Sequence, residues 1–368
     1  MKTWKVMLLA GEESGVLYAD QIRTELASRL CASGDALEVR TYADYGFKVA
    51  DLAVMGFWAV LRRIGYFLRV KRTMRRAIGA WRPDVLCTVD YPGMNLRLAR
   101  YARTQGVRTV HVVCPQIWAW RSSRKFRIAE SVDRLCCFFP FEPRLFDFRP
   151  GLARFVGHPL VEAFGAATGV RDERLVALLP GSRMGEIERN LPVLLAAAER
   201  LSSGRALAFS LPAANARAKR AIDRVRDRCG CTVPVEVTLG GARDLLRRAA
   251  CAAVASGTAT LEAALAGCPT VLVYRVSAVL AWFARRVIRG VKHIGLANVI
   301  AEKAGVEPPM PELLQEAFTP EGVAEQLGQW LDDVGARRAA TDRLARTMAL
   351  MKTEEGAIRR IATAVLDD

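Results

Sequence analysis

The sequence is poor in the residues and spacings that hold metal ions. It has only three histidines, all isolated, and its nine cysteines include no Cys-x-x-Cys pair. It also lacks an Asp-x-Asp triplet, the pattern that holds a divalent cation against a nucleotide diphosphate. Metal sites in proteins need such clustered ligands. The sequence therefore predicts no metal site and no cofactor, and any catalysis is expected to be metal-free.

Long apolar stretches are also missing. The apolar run at residues 4–10 is shorter than a signal peptide requires, and Glu12 and Glu13 end it. No segment approaches the roughly 20 apolar residues of a membrane-spanning helix. The scattered cysteines suit reduced thiols better than disulfides. These absences predict a cytoplasmic protein that folds throughout its length.

The composition is strongly basic. Among 368 residues there are 54 Lys and Arg against 38 Asp and Glu, which gives a net charge of +16. Such an excess favours an anionic partner, namely nucleic acid, anionic lipid or a phosphorylated substrate, although a solvated basic surface has the same composition. No recognised nucleic-acid-binding module accompanies the charge, so we expect no nucleic-acid partner.

Short apolar runs alternate with amphipathic helical stretches, and a Gly-His-Pro break at 157–159 separates two such series. Strands are predicted at 4–10, 85–89, 109–113, 135–139, 175–179, 206–211, 233–239, 252–255 and 270–275. Repeated strand–helix units imply parallel sheets with helices on both faces. We therefore predict an α/β protein with two doubly wound, Rossmann-like domains that face a cleft. The predicted domains are 1–165 and 166–335, and a C-terminal helical tail at 336–368 is expected to pack back across them.

The sharpest local pattern is Pro-Gly-Ser-Arg at 180–183, between a predicted strand and a helix. Gly181 permits close backbone approach, and Ser182 lies where the helix start offers free N–H groups. Arg183 adds a rigid fork of donors. This combination suits a phosphate or diphosphate, although an ordinary helix capped by Ser182 fits the same pattern.

A second turn of this kind follows the predicted strand at 252–255. Backbone amides near Ser256 and Gly257, with the Thr258 hydroxyl, suit a further phosphate oxygen. Glu262, one helical turn later, can accept hydrogen bonds from a ribose diol. Simple helix capping is again the alternative. Two such turns in one domain favour a nucleotide site.

Asp90 follows the apolar run at 85–89. A carboxylate at the carboxyl end of a parallel strand lies at the ligand-binding edge of the sheet, where it can act as a general base toward a hydroxyl. The alternative is an Asx turn or a cap before the helix predicted from Asn95.

Residues 57–76 combine an apolar face with many basic side chains. The apolar residues at helical spacing are Phe57, Trp58, Leu61, Ile64 and Phe67. A basic amphipathic helix that carries aromatic residues is typical of proteins that lie in an anionic membrane interface. A helix whose apolar face packs on the core is the alternative.

Together, these motifs resemble the lipid-A-disaccharide synthase family, whose members are inverting glycosyltransferases of the GT-B fold. The matching stretches are 11–15 (GEESG), 90–99 (DYPGMNLRLA), 115–121 (PQIWAWR), 138–142 (FFPFE), 155–160 (FVGHPL), 178–183 (LLPGSR), 256–262 (SGTATLE), 296–298 (LAN) and 311–316 (PELLQE). They extend over nearly the whole chain, and their order and spacing make the resemblance specific.

The resemblance implies a reaction and its partners. UDP-2,3-diacylglucosamine would donate its sugar to 2,3-diacylglucosamine 1-phosphate (lipid X), which yields UDP and the β-1,6-linked disaccharide of lipid A biosynthesis. The protein would lie peripherally on the cytoplasmic surface of the inner membrane, in contact with anionic lipid. The family also allows a homodimer through the C-terminal helices.

The resemblance also implies roles for single residues. Asp90 is expected to be the catalytic base, Arg183 to lie beside the diphosphate and Asn298 to contact the donor. Gln315 joins the residues of the two turns in the nucleotide site. The expected acceptor-side residues are Glu12, Ser14, Gly15 and Asn95.

Two other functions are compatible with the same motifs. One is another GT-B enzyme that acts on UDP-GlcNAc, either a lipid-linked glycosyltransferase or a sugar-nucleotide epimerase. An epimerase needs no membrane-facing helix, so soluble turnover of UDP-GlcNAc would favour it. The other is a non-catalytic descendant that binds nucleotide or lipid.

Overall fold

The computed structural model describes residues 1–52, 62–119, 122–165, 170–277 and 290–367. The chain forms two compact units. Unit 1 comprises Met1–Glu162 and Met351–Asp368, and unit 2 comprises Ala163–Leu350. Each unit is built around a six-stranded parallel sheet.

The sheet of unit 1 has the strand order β2-β1-β3-β4-β5-β6. Its strands are β1 (Thr3–Ala10), β2 (Ala36–Arg40), β3 (Val85–Val89), β4 (Arg108–Val112), β5 (Arg134–Cys137) and β6 (Ala153–Phe155). Val6 and Leu8 of β1 pack into one hydrophobic cluster, whereas Met7 and Leu9 pack into another. Successive side chains of a strand point to opposite faces, so helices cover both faces of this sheet.

The helices within residues 1–165 follow the strands and connect them. They are α1 (Glu13–Ala32), α2 (Val49–Leu52), α3 (Ile64–Trp81), α4 (Pro92–Thr104), α5 (Arg124–Ser131) and α6 (Pro159–Phe164). Helix α3 buries a stripe of Val70, Met74 and Ile78 at helical spacing, which fixes the face that it turns toward the core. Helices α4 and α5 are neighbours on the sheet.

The sheet of unit 2 has the order β12-β11-β10-β7-β8-β9. Its strands are β7 (Asp172–Leu179), β8 (Ala208–Ala213), β9 (Val235–Leu239), β10 (Ala249–Ala255), β11 (Thr270–Tyr274) and β12 (Glu312–Leu314). Strand β10 is buried along its whole length. It consists almost entirely of small residues, because neighbours cover it on both faces.

Most connections of unit 2 are helical. Its helices are α7 (Met184–Ser202), α8 (Ala216–Cys229), α9 (Ala242–Arg248), α10 (Thr258–Leu265), α11 (Leu296–Ala304), α12 (Pro320–Asp332) and α13 (Val334–Ala349). Across the part of the chain that the structure describes, no helix has both the length and the apolarity to cross a bilayer.

The last helix, α14 (Ala357–Leu366), belongs to unit 1. Its Ile361 and Val365 belong to the hydrophobic cluster that also contains Val6 and Leu8 of β1. The Arg29 guanidinium donates to the Thr363 hydroxyl at 2.7 Å, and Arg108 donates to the Val365 carbonyl at 2.9 Å. The end of the chain is therefore an integral part of the unit 1 core.

The predicted fold class is confirmed, and the nine predicted strands correspond to β1, β3–β5 and β7–β11. Helix α1 begins at Glu13, within the stretch 11–15 that contributes to the family resemblance. Strands β2, β6 and β12 were not predicted. Each lies at the edge of its sheet and contains no fully buried residue, so its sequence lacks the apolar run that marks the inner strands.

Candidate functional site

A cavity of about 270 Å³ lies in unit 2 at the carboxyl ends of β7, β8, β9 and β10. All strands of the sheet are parallel, so the turns that follow them meet at the same edge. Six residues predicted for nucleotide binding line this cavity, namely Gly181, Ser182, Ser256, Gly257, Thr258 and Glu262. The structure thus brings the two predicted turns together around one space.

The turn after β7 is organised around the Glu186 carboxylate. Its Oε2 accepts hydrogen bonds from the backbone N–H groups of Ser182 and Arg183, at 3.2 and 3.3 Å. Its Oε1 accepts from Arg183 Nη1 at 3.2 Å. The helix therefore begins with Arg183 as N-cap, and the alternative that made Ser182 the cap is wrong. The amides expected to meet a phosphate already hold an anionic group of the chain.

Gly181 is required in this turn for two reasons. Its φ of +112° lies in a region that side chains rarely adopt. A Cβ at this position would lie 2.5 Å from Glu186 Oε2. A side chain would thus push Glu186 away from the amides that it caps.

Asn190 supports the same turn from below and was missed by the sequence analysis. It is fully buried, and its Nδ2 donates to the Pro180 carbonyl at 2.9 Å. The sequence does contain a signal, since Asn190 interrupts the apolar stripe of Ile187, Leu191 and Leu194 on α7. A polar residue in such a stripe indicates a buried hydrogen-bonding task.

The turn after β10 leaves its backbone open toward the cavity. Gly257 has φ +149° and ψ −164°, a conformation that is essentially limited to glycine. Its carbonyl accepts from the Thr260 hydroxyl at 2.7 Å, which fixes the first turn of α10. Burial raises the pKa of the Glu262 carboxyl, and the Arg243 guanidinium opposes this rise.

Asn298 and Gln315 lie elsewhere in unit 2 and are not among the described residues that line the cavity. Asn298 is fully buried, and its Nδ2 donates to the Met310 carbonyl and to Glu312 Oε1, both at 2.8 Å. The Gln315 carbonyl accepts from Arg275 Nη2 at 3.2 Å. Asn298 therefore braces the segment before β12 with an amide that is fully engaged inside the unit.

Arg183 has a different environment from these buried residues. Its side chain is 65% exposed although it contacts Glu186. The guanidinium therefore lies at the surface, next in the chain to Gly181 and Ser182 of the cavity lining, and is accessible to an anion.

In unit 1, Asp90 lies directly after β3 in a strained backbone conformation. Asp90 and Tyr91 have φ values of +50° and +51°, and such residues typically cost about 1–3 kcal/mol each. The Asp90 N–H donates to the Val112 carbonyl at 2.9 Å, and its Oδ1 accepts from the Tyr91 N–H at 2.8 Å. Burial raises the pKa of the Asp90 carboxyl, while the Tyr91 hydrogen bond opposes the rise.

Asn95 holds this strained turn in place. It is fully buried, and its Nδ2 donates to the Asp90 carbonyl at 2.8 Å and to the Leu9 carbonyl at 3.2 Å. Its Oδ1 accepts from the Tyr42 hydroxyl at 2.7 Å. Asn95 thus ties the ends of β1 and β3 to the turn at Asp90.

The Tyr91 ring lies against the start of the segment that contains the other predicted acceptor-side residues. A Cβ on Gly11 would lie 2.4 Å from this ring, so the ring packs directly on the backbone after β1. Burial raises the pKa of the Tyr91 phenol, and the Glu12 carboxylate raises it further. Ser14 is exposed at the start of α1, and Gly15 is buried against Ala10 and Val89.

Only part of the predicted membrane-facing stretch can be placed. Phe57, Trp58 and Leu61 lie outside the described residues. Ile64 is 55% exposed, and so is its neighbour on the helix, Leu68, at 59%. Phe67, by contrast, packs against the core cluster of unit 1. Helix α3 therefore presents an apolar strip of Ile64 and Leu68 among exposed basic residues.

The fold also gathers three potential metal ligands that the sequence spacing did not reveal. Cys114, Cys137 and Glu142 are buried, and their ligand atoms lie within 4.8 Å of one another. Glu142 Oε1 accepts from Trp118 Nε1 at 3.2 Å, and Oε2 accepts from the Phe139 N–H at 3.1 Å. Burial raises the pKa of Glu142 to about 8, so this carboxyl is mostly protonated at neutral pH.

We expect the buried Glu142 to make stability depend on pH. Its pKa is about 8 in the folded protein against an ordinary 4.5, so between these values only the unfolded chain has released the proton. The free energy of unfolding should therefore fall as pH rises through this window, by at most about 1.4 kcal/mol per pH unit. Urea unfolding of Glu142→Gln should show a flatter profile. As a control, Glu188→Gln, at an exposed site, should retain the wild-type slope. A wild-type slope in Glu142→Gln would contradict the raised pKa of Glu142.

Comparison with known proteins covers almost the whole chain. The family model described as lipid-A-disaccharide synthetase matches residues 6–365. The lipid-A-disaccharide synthase of Myxococcus xanthus is 36% identical in an alignment of 383 positions, which covers 99% of this chain and 97% of that protein. The corresponding enzyme of Azotobacter vinelandii is 35% identical, with the same coverage.

Solved structures with this fold include UDP-GlcNAc 2-epimerases. The enzyme from Neisseria meningitidis, solved with UDP-GlcNAc, has a TM-score of 0.61 at 11% identity, covering 99% of this chain and 100% of its own. The enzyme from Methanocaldococcus jannaschii has a TM-score of 0.55 at 12% identity, covering 94% and 99%. At such low identity the likeness shows the fold alone. The full-length family match and the curated relatives decide the family: this chain belongs to the lipid-A-disaccharide synthases, glycosyltransferases of lipid A biosynthesis.

Proposed function

We propose that this protein transfers the sugar of UDP-2,3-diacylglucosamine to the 6-hydroxyl of 2,3-diacylglucosamine 1-phosphate, with inversion to a β-1,6 linkage. The observation that carries the proposal is Asp90, a partly buried carboxylate on a strained backbone directly after β3, in a chain of this family. Backbone strain of this kind persists where the surrounding structure enforces it, typically at functional sites.

The donor nucleotide is assigned to the cavity of unit 2. The Glu262 carboxylate can accept hydrogen bonds from the ribose diol. The backbone around Gly257 and the Thr258 hydroxyl can contact the diphosphate, since the turn leaves them at the cavity wall. Arg183 would add a charged donor pair from the adjacent turn. Asn298 and Gln315 would then act as positioning residues for the segment around Glu312.

The reaction requires a base and a stabilised leaving group. Asp90 would take the proton of the acceptor hydroxyl, whose oxygen attacks the anomeric carbon as the bond to the UDP oxygen breaks. The proton ends on Asp90, and the negative charge moves to the diphosphate. Positive donors placed at that charge stabilise the transition state more than the ground state.

The direct test supplies purified protein with both substrates and identifies the products by mass. Disaccharide 1-phosphate and UDP should appear together, and only when both substrates are present. Conversion of UDP-GlcNAc alone into an epimer would instead support the epimerase function. Ligand binding without any product would support a non-catalytic protein.

We expect catalysis to need no divalent metal. Arg183 and the N–H groups of two helix starts can carry the charge that a metal ion balances in other enzymes. Activity should therefore be unchanged after dialysis against EDTA. Loss of activity in EDTA that magnesium or manganese restores would contradict this mechanism.

We also propose that α3 contacts the cytoplasmic surface of the inner membrane. Ile64 and Leu68 are exposed apolar residues, and the helix contains no acidic residue. Its exposed basic residues include Arg69, Arg72 and Arg76. Each basic residue near an anionic surface contributes about 1 kcal/mol to binding, in addition to the gain from burial of the apolar strip.

From the family resemblance we further expect homodimerisation through the C-terminal helices, which sedimentation can test.

The membrane proposal predicts that Ile64→Ser with Leu68→Ser lowers binding to anionic vesicles several-fold. Both side chains are already more than half exposed, so the melting temperature should barely move. Phe67 is left intact because it packs on the core. A matched control replaces two exposed leucines elsewhere, Leu17 and Leu239, by serine. Equal vesicle binding by both double variants and the wild type would place the membrane contact elsewhere.

A further inference from the structure

A second cavity, of about 280 Å³, lies in unit 1 between helices α4 and α5. Four arginines line it, two from each helix, and no acidic residue does so among the described lining residues. They are Arg97, Arg100, Arg124 and Arg127. We refer to this cavity as the arginine groove.

The groove carries an unbalanced positive charge. Arg100 pairs with Glu130 at 3.4 Å, outside the lining. In the ranges that the structure describes, Arg97, Arg124 and Arg127 form no ion pair within 4 Å. Below them, Leu96 and Ile128 are almost fully buried and form an apolar floor. Several guanidinium groups that converge over an apolar floor repel one another, and an anion would relieve this repulsion.

Guanidinium groups suit planar or tetrahedral oxyanions such as carboxylates and phosphates. Their planar fork of N–H donors matches phosphate oxygens, and two or more forks can contact one phosphomonoester. The Ser131 hydroxyl is not available for this purpose, because it donates to the Arg127 carbonyl at 2.6 Å. The arginines are thus the principal donors toward a ligand in the groove.

The groove begins next to the proposed base. Pro92 and Gly93 form its upper end, and Pro92 follows Asp90 by two residues. Two residues span at most about 7 Å of backbone. Helices α4 and α5 both start on the carboxyl side of the sheet, so Arg97 and Arg124 lie toward the Asp90 end of the groove. A sugar ring with its reacting hydroxyl near Asp90 would carry a substituent on its other side toward these arginines.

We propose that the arginine groove binds the phosphomonoester of the acceptor sugar. This inference rests on the proposed function, because it takes the acceptor to be a sugar 1-phosphate whose hydroxyl reacts at Asp90. The groove would then orient the acceptor and discriminate it from the donor, whose anomeric phosphate is esterified to UDP. A dianionic phosphomonoester interacts more strongly with four guanidinium groups than a singly charged phosphodiester does.

A phospholipid headgroup could supply the same phosphate chemistry. The exposed Phe126 of α5 packs on the exposed Phe148, and this pair would suit a membrane contact, but neither residue lines the groove. The placement of arginines from two helices over a buried apolar floor favours one discrete phosphate over a membrane plane. If the groove binds the acceptor phosphate, the arginines should affect discrimination between acceptors. If it binds a phospholipid headgroup, they should affect vesicle binding.

The test is the double variant Arg97→Gln with Arg127→Gln, assayed in detergent with the acceptor and with its analogue lacking the phosphate. Wild-type protein should prefer the phosphorylated acceptor. In the variant, kcat/KM for that acceptor should fall about tenfold or more, as expected for about 1.4 kcal/mol of lost binding, with KM for the donor unchanged. The preference for the phosphate should shrink accordingly. The control Arg224→Gln with Arg228→Gln removes the same charge from an exposed face of α8.

Two further measurements separate the possible failures. Inorganic phosphate, titrated calorimetrically in saturating UDP, should bind the wild type and the control at least tenfold more tightly than the double variant. This readout needs no turnover, so it tests the groove even if the proposed reaction is wrong. An unchanged acceptor preference with weaker binding to anionic vesicles would assign the groove to a headgroup and overturn the proposal. Equal phosphate binding by all three proteins would also overturn it.

Discussion

Replacing Asp90 by asparagine should lower turnover about 100-fold or more, the usual cost of losing a general base. The fold should survive, because asparagine tolerates a positive φ better than most residues do. Its Oδ1 can still accept the hydrogen bond from the Tyr91 N–H. UDP should bind normally, since the nucleotide cavity is formed by residues of unit 2 alone.

The pH dependence provides an independent readout. Burial holds the pKa of the Asp90 carboxyl above its ordinary 3.8, and only the deprotonated form can accept a proton. The kcat/KM of the wild type should therefore be lost as pH falls through this raised pKa, and Asp90→Asn should lack that limb. Asp20→Asn, at an exposed carboxylate on α1, should behave like the wild type. Near-normal turnover in Asp90→Asn would show that Asp90 is not the general base.

The cavity at the edge of the unit 2 sheet was largely predictable from the sequence. Parallel strands must end at the same edge of the sheet, so two glycine-containing turns that each follow an apolar run had to approach each other if their strands were near neighbours. Strands β7 and β10 are indeed adjacent, which brings Gly181 and Gly257 into one cavity wall. The residue types and their spacing within each turn predicted which residues line the cavity.

The partners of the buried polar residues could not be predicted in the same way. Asn95 and Asn298 stand in motifs, and the sequence cannot distinguish an amide that meets a ligand from one that holds backbone carbonyls. The outcome depends on packing between segments that are distant along the chain, such as β1 with α4. Glu186 is a similar case, since its capping role depends on the backbone path at Gly181.

The cluster of Cys114, Cys137 and Glu142 shows the same limit. Its members come from three separate segments, and their spacing along the chain resembles no ligand motif. Only the register between β4 and β5 and the turn that returns Glu142 beneath Trp118 bring them together. Local patterns predict elements, whereas long-range packing decides which side chains meet.

Replacing Arg183 by alanine should have the second large effect, a fall in kcat/KM of about 100- to 1,000-fold, by analogy with the loss of one donor to a developing oxyanion. As the bond to UDP breaks, charge grows on the diphosphate, and the Arg183 guanidinium lies at the turn after β7, where it contacts Glu186. The fold should persist because the side chain is 65% exposed. The loss should appear in both kcat and the affinity for UDP, since the diphosphate is present in donor and product.

Glu186 provides a further test of this prediction. Its carboxylate accepts hydrogen bonds from the Arg183 guanidinium and from the backbone N–H groups of Ser182 and Arg183. A diphosphate that uses these donors must compete with that carboxylate. Glu186→Gln removes the competing charge but keeps an acceptor for the amides, so UDP should bind at least as tightly as in the wild type. Arg200→Ala, in the last turn of the same helix and paired only with distant Glu321 among the described residues, should leave the kinetics unchanged. If Arg183→Ala retains both UDP affinity and turnover, the diphosphate must be held by the turn after β10 without help from this arginine.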